Sequence, residues 1–170
     1  MLTHLCKKLF RNLDIVIFLS KVSCFYIKFR FSLGVSTGAL TALTLAIENE
    51  RLFNGVNIIC PLLKNEGIIP KGKSYLDFIG KAFPRLGLTN VDAQAAQPFD
   101  DPLLFSGKLR AGLFKELEDT TFRIRNNAHK LTIPTLIAHG GLDSITTPKV
   151  VRKYFSDIST EDKDIILYDD

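Results

Sequence analysis

A chain of 170 residues is long enough for one sizeable core. With 46% hydrophobic and 24% charged residues, it has the composition of a globular protein, which excludes disorder over most of its length. The net charge of +4 is concentrated at the start: residues 1–30 hold Lys7, Lys8, Arg11, Lys21, Lys28 and Arg30 against Asp14 alone, leaving 16 of the 22 basic and 17 of the 18 acidic residues for the body, which therefore has no basic stripe and no call for a nucleic-acid partner.

Residues 1–30 form an atypical basic and apolar segment. Lys7, Lys8 and Arg11 precede an apolar run from Leu13 to Leu19, with the small residues Ser20 and Ser23 beyond. That order resembles a short signal peptide or anchor, but Asp14 interrupts the run and Lys21, Lys28 and Arg30 follow it. The run is too short and too charged to span a bilayer. A partly buried helix or strand is the leading reading, in a protein that is cytoplasmic or peripheral to a membrane; a stretch outside any well-formed fold is another.

From Phe31 the rhythm is regular. The apolar stretch Phe25 to Leu33 leads into Gly34-Val35-Ser36-Thr37-Gly38. An Ala- and Leu-rich segment, Ala39 to Ile47, reads as a buried helix ending in Glu48-Asn49-Glu50. Phe53-Asn54-Gly55 is a turn, and Val56 to Cys60 a strand stopped by Pro61. Strand, tight turn, helix, turn and strand make a βαβ unit, which implies a parallel sheet and an α/β fold class.

The stretch from Leu62 to Lys130 carries many Gly and Pro residues and no strand alternation. Helices are expected over Ser74 to Phe83 and Ala111 to Asn127, so this region is expected to be a mainly helical insertion. The βα rhythm resumes with a strand over Thr135 to His139. It ends at Gly140-Gly141-Leu142-Asp143, and Pro148 opens a helix through Tyr154 or so. Asp164 to Tyr168 is a further strand.

Gly-x-Ser-x-Gly between a strand and a helix has a mechanical basis. The serine rides a strained turn, and small neighbours let strand and helix approach. Gly34 and Gly38 would make that elbow, Ser36 would be the nucleophile, and the Thr37 N–H one oxyanion donor at a helix N-terminus. The bland alternative is a serine in an ordinary tight turn. Asp143 lies past the end of a strand, where α/β sheets collect functional groups. A carboxylate there can orient a histidine; its alternative is capping the next helix. His139 precedes the glycine turn on the same strand as Asp143, so a histidine hydrogen-bonded inside the fold fits better than a base. Cys6, Cys24 and Cys60 are odd in number and lack metal-ligand spacing, which fits a reducing compartment rather than a disulfide scaffold. His4, His129 and His139 are scattered, and no HExxH is present. No metal and no cofactor is expected.

Three stretches together resemble the α/β-hydrolases, in the branch of monoacylglycerol lipases, lysophospholipases and serine aminopeptidases. They are Leu33 to Gly38 with the helix and Asn54 to Leu63 after it; Asp100-Asp101-Pro102-Leu103 with Gly107 to Arg110; and Ile133 to Asp143 with Pro148 and the segment from Ser159 to Tyr168. The resemblance covers residues 31–170. It implies a partial α/β-hydrolase domain: a mainly parallel sheet flanked by helices, with a helical lid over about residues 64–130. It also implies a small lipid or ester substrate, hydrolysis through an acyl-enzyme on Ser36 with Asp143 orienting the histidine, and a lid able to dock on a membrane surface.

The family departs from this sequence at both ends. Its order is Ser, Asp, His, and no histidine follows Asp143. Only 33 residues precede Gly34, with no His-Gly loop for a second oxyanion donor. Lys28 and Arg30 fall in a strand expected to be apolar on both faces. A family member incomplete at both ends, impaired in catalysis and poorly soluble alone, is therefore expected. Thr37-Gly38-Ala39 stands where relatives commonly carry Met-Gly-Gly. Three functions stay open: an ester hydrolase of the monoacylglycerol or lysophospholipid type, a non-catalytic remnant that binds lipid or a partner, and an aminopeptidase or acyltransferase on the same scaffold.

Overall fold

A computed structural model describes residues 17–20, 29–64, 73–90, 107–143 and 145–169. It divides into two compact units, one formed by residues 14–69 and 118–170 and the other containing residues 70–117.

The larger unit is built on a five-stranded sheet. Strands β1 (Ile17–Ser20), β2 (Arg30–Val35), β3 (Gly55–Ile59), β6 (Thr135–Gly140) and β7 (Lys163–Tyr168) follow the spatial order β1-β2-β3-β6-β7. β1 runs antiparallel to β2, and the other neighbouring pairs are parallel. The chain order within the parallel part is that of βαβ crossovers. Helix α1 (Thr37–Glu48) makes the first of them. Its buried positions include Ala39, Ala42, Leu43 and Ala46, the i, i+3, i+4, i+7 stripe of a helix laid on a sheet. Leu43 is completely buried, and a side chain of that size contributes about 1.5–3 kcal/mol by leaving water.

Strand β6 alternates strictly: Thr135, Ile137 and His139 are buried, with the residues between them less so. The period of two thus carries a histidine onto the same buried face as Ile137. Helix α4 (Pro148–Asp157) has Pro at its first position, where the missing N–H costs nothing. It buries Val151 and Tyr154. Lys163 at the start of β7 donates to the carbonyls of Ile158 and Phe155 at 2.6 and 3.1 Å and lies 5.1 Å from the Phe155 ring centre.

Arg30 resolves the apparent misfit of a cation in β2. It opens the strand and is exposed. Its N–H donates to Asn54 Oδ1 at 2.8 Å and its guanidinium to the Arg51 carbonyl at 2.7 Å. The charge therefore stays outside the sheet. The strand is also not covered on both faces, since Phe31 is 44% exposed and stacks on Phe29. Lys28, and the run from Leu13 as far as Val16, lie outside the described residues; the rest of that run enters β1.

The second unit holds α2 (Lys73–Ala82), the strands β4 (Gly87–Asn90) and β5 (Lys108–Arg110), and the start of α3 (Ala111–Asn126). Helices stand where the spacing predicts them, but β4 and β5 pair antiparallel, in a region expected to contain no strand. Four and three residues are too few to display alternation, and the pairing joins segments far apart in sequence. A Cβ on Gly87 would lie 2.7 Å from the Lys108 Cβ, so the cross-strand approach uses the bare glycine. The stretch Asp100-Asp101-Pro102-Leu103 lies outside the described residues. Among the described residues, no helix is long and apolar enough to cross a membrane.

Candidate active site

The carboxyl ends of β2, β3 and β6 lie side by side, because Val35 pairs with Ile59 and Ile59 with Ala138. Ser36, Cys60 and the Gly140–Asp143 turn continue from these three ends, the edge at which open α/β sheets hold their ligands.

Ser36 is the single turn residue between β2 and α1. Its dihedrals, φ 52° and ψ −116°, fall where non-glycine residues are strained. Local contacts hold it there. Its N–H donates to the Ile59 carbonyl at 2.9 Å, and its carbonyl accepts from Ala39 at 3.1 Å and Leu62 at 3.3 Å. Gly34 makes the turn sterically feasible: a Cβ there would lie 2.6 Å from the Ala39 Cα and 2.7 Å from the Gly38 carbonyl oxygen. Gly38 and Ala39 are buried in the first turn of α1. Thr37 is the first residue of that helix, so its N–H belongs to the end that favours negative charge.

Asp143 is half-buried and anchored within its own loop. Its Oδ1 accepts from the N–H groups of Ile145 and Thr146 at 2.8 and 2.9 Å, and its Oδ2 accepts from the Thr146 hydroxyl at 2.5 Å. Burial pushes the carboxyl up, but the hydrogen bonds from the Thr146 side chain and the two N–H groups outweigh it, aided by nearby His139, and hold it below the ordinary value. Asp143 is thus an anion across the neutral range, joined to the loop that precedes α4.

His139 is 1% exposed. Its Nδ1–H donates to the Gly140 carbonyl at 2.7 Å, and its Nε2 lies 3.0 Å from Thr146 Oγ1. Both ring nitrogens are therefore within reach of groups inside the fold, and Thr146 links the ring to Asp143. Sequence spacing gave no sign of that link, although an Asp followed by Ser-Ile-Thr-Thr is a composition rich in hydroxyl donors.

Cys60 also escaped the sequence reading as part of this edge. It leaves β3 with φ 44°, and its Sγ, one nitrogen of His139 and one oxygen of Asp143 all lie within 4.8 Å of one another. His139 and Asp143 are four residues apart at the end of β6, and Cys60 joins them because β3 and β6 are neighbours. Such a donor set suits a soft divalent cation; imidazole Nδ1 and the Asp143 oxygens also serve hydrogen bonds within the fold.

Comparisons with known proteins agree with this architecture. The family described as "Serine aminopeptidase, S33" matches residues 11–170. The chain is 27% identical to a caffeoylshikimate esterase of Arabidopsis thaliana, over 82% of this chain and 46% of the relative. It is also 27% identical to a monoacylglycerol lipase of Mycolicibacterium smegmatis, over 61% of this chain and 40% of that protein. Among solved structures, the monoacylglycerol lipase of Paleococcus ferrophilus superposes with a TM-score of 0.73 at 25% identity, covering 82% of this chain and 58% of that one. A soluble variant of the Saccharomyces cerevisiae monoglyceride lipase, solved with a substrate analogue, has the same fold at a TM-score of 0.65 and 20% identity, over 80% of this chain and 51% of its own. The chain spans just under half the length of the curated relatives it matches.

Proposed function

The chain belongs to the serine aminopeptidase S33 family of α/β-hydrolases, and from that premise we propose that it carries the nucleophile and the acid of an ester hydrolase of the monoacylglycerol or lysophospholipid lipase type. The observation that carries this reading is the backbone of Ser36. A φ of 52° with ψ −116° is unfavourable for serine and persists only where surrounding contacts enforce it, which is characteristic of functional turns. The relatives named as lipases and an esterase support the choice of carboxylic esters.

In this mechanism Ser36 Oγ attacks the ester carbonyl and forms a C–O bond as its proton passes to a base. The Thr37 N–H and the N-terminus of α1 stabilise the resulting oxyanion. Collapse expels the alcohol and leaves an acyl-enzyme, which water then hydrolyses. Asp143 orients the imidazole that acts as the base and stabilises its protonated form. No histidine follows Asp143 in these 170 residues, whereas the fold places its base after the acid. A polypeptide of these 170 residues alone is accordingly expected to react slowly at Ser36, with the residual rate seen when a triad member is absent. A small lipid or ester is the proposed substrate, with peripheral membrane contact through the region around residues 64–130.

A fluorophosphonate probe tests this directly. Slow covalent labelling that disappears in Ser36→Ala, with turnover of a short-chain acylglycerol but not of an amino-acid anilide, is the expected result. One observation favours a non-catalytic remnant instead: Asp143 already accepts three hydrogen bonds in its own loop. Absence of labelling over hours in folded protein would establish that second reading and overturn the first.

A further inference from the structure

Strand register brings Cys60, His139 and Asp143 together. Ile58 pairs with Ile137 across β3 and β6, and the period of two carries the next residues on that face, Cys60 and His139, to the carboxyl edge of the same two strands. The Cys60 N–H donates to the Ala138 carbonyl at 2.9 Å, which fixes the cysteine against β6 just beyond the paired residues. The Gly140–Asp143 turn brings Asp143 to the same edge. The thiol sulfur, an imidazole nitrogen and a carboxylate oxygen then lie within 4.8 Å of one another. All three residues belong to the larger unit.

The imidazole supplies a second, independent observation. His139 is 1% exposed. Its Nδ1–H donates to the Gly140 carbonyl, a group that can only accept, so the lone pair of the neutral ring is on Nε2. Nε2 meets Thr146 Oγ1 at 3.0 Å. A hydroxyl has one proton, and this one goes to Asp143 Oδ2 at 2.5 Å. Nε2 is therefore a buried acceptor that receives no proton, and Thr146 Oγ1 places it on the Asp143 side of the ring. Leaving such a group unsatisfied is costly. A cation is what its lone pair, the carboxylate and a thiolate can share.

We propose that Cys60 Sγ, His139 Nε2 and an oxygen of Asp143 form a three-ligand site for a zinc-like divalent cation. Thiolate, imidazole and carboxylate are donors that zinc takes, and three protein ligands leave its fourth position for water. Asp143 accepts three hydrogen bonds, and a carboxylate has about four acceptor sites, which leaves one for the ion. Ligands on a tetrahedral zinc ion stand about 3.3–3.8 Å apart, so the cluster closes by about 1 Å as the ion binds. Cys60 has one side-chain torsion to turn, and neither it nor Asp143 is fully buried, which gives the ion a way in. A sulfur–metal bond replaces the S–H bond, and the thiol proton passes to solvent. The site rests on donor geometry and not on the reaction at Ser36.

Calorimetric titration of the reduced, metal-free full chain with zinc, cadmium and magnesium tests the assignment. A Cys6→Ser, Cys24→Ser background leaves Cys60 as the one thiol. Zinc and cadmium are expected to bind at one equivalent and magnesium not to bind. Cadmium should also bring a near-ultraviolet sulfur-to-metal absorption band. Cys60→Ser is expected to abolish that band and to weaken zinc binding by at least about a hundredfold, beyond the effect of losing an outer partner. Its thermal melt in the absence of metal, expected to be unchanged, separates lost ligation from lost fold. Nitrogen-15 spectra of the imidazoles should show His139 Nε2 with a lone pair in the metal-free chain at about pH 8, and a shift of that resonance on addition of zinc. Absence of stoichiometric zinc binding, equal affinity in Cys60→Ser, an unmoved Nε2 resonance, or a His139 ring protonated at both nitrogens in the metal-free chain would overturn the proposal.

Discussion

Gly34 and Ala39 approach so closely that a Cβ built on Gly34 falls 2.6 Å from the Ala39 Cα. The end of β2 and the first turn of α1 are thereby pressed together, and Ser36 between them is forced to a φ of 52°. The contact is with backbone, so no side-chain rotation can relieve it. Gly34→Ala is expected to cost roughly 2–4 kcal/mol, as an overpacked position with no room to yield. Urea unfolding measures this; a loss below about 1 kcal/mol would mean that the turn opens freely.

The strain at Ser36 predicts a difference between two substitutions that remove the same hydroxyl. Ser36→Ala keeps a Cβ at a positive φ, whereas Ser36→Gly removes it. The glycine variant is expected to be more stable than the alanine variant by about 1 kcal/mol. Neither should react with a fluorophosphonate. Equal unfolding midpoints for the two would contradict the strained geometry.

Asp143 links stability to acid. Its folded carboxyl titrates below the ordinary value, because donors from Thr146 and Ile145 outweigh the opposing effect of burial. A carboxyl depressed in the folded state contributes stability that is fully present above the unfolded value of about 3.9 and is lost as pH falls through the folded value. Asp143→Asn is therefore expected to cost roughly 1–2 kcal/mol at pH 7, with the gap to the native chain closing below about pH 4. Thermal melts from pH 7 to pH 2.5 measure it, and a gap that stays constant in acid would refute the linkage.

Thr146 Oγ1 lies within hydrogen-bond distance of both Asp143 Oδ2 and His139 Nε2, and its one proton goes to the carboxylate. Thr146→Val preserves the shape and removes the hydroxyl, leaving the half-buried Asp143 Oδ2 without its donor. A cost of about 1–3 kcal/mol is expected, and less than about 1 kcal/mol for Thr146→Ser, which keeps the oxygen. The titration of Asp143, followed by carboxyl carbon NMR, should move upward in the valine variant and stay near its native position in the serine one.

Local pattern was enough for the parallel part of the sheet. The Ala- and Leu-rich run after Gly38, the Pro at position 148, and the apolar runs near residues 56, 135 and 164 each declare their element through periodicity or a stop signal. The strand–turn–helix arrangement around Ser36 was legible for the same reason, since a serine between small residues has few other uses there. The β4–β5 pair was not legible. Its strands are short, and what holds them is a partner more than 15 residues away in sequence.

What the sequence by itself determined is the residue chemistry and its local frame: a serine on a glycine-flanked turn, a carboxylate after a strand, and a histidine on the inward face of β6. What only the tertiary structure decided is which of these meet. The strand order β2-β3-β6 brings Cys60 beside His139 and Asp143. Folding likewise gathers Lys64, Arg125 and α4 around one cavity. Such meetings follow from crossovers between distant segments, and no period along the chain records them. The elbow at Ser36 belongs to both accounts: its motif was written locally, while the strain that marks it arises from Gly34 pressed against Ala39.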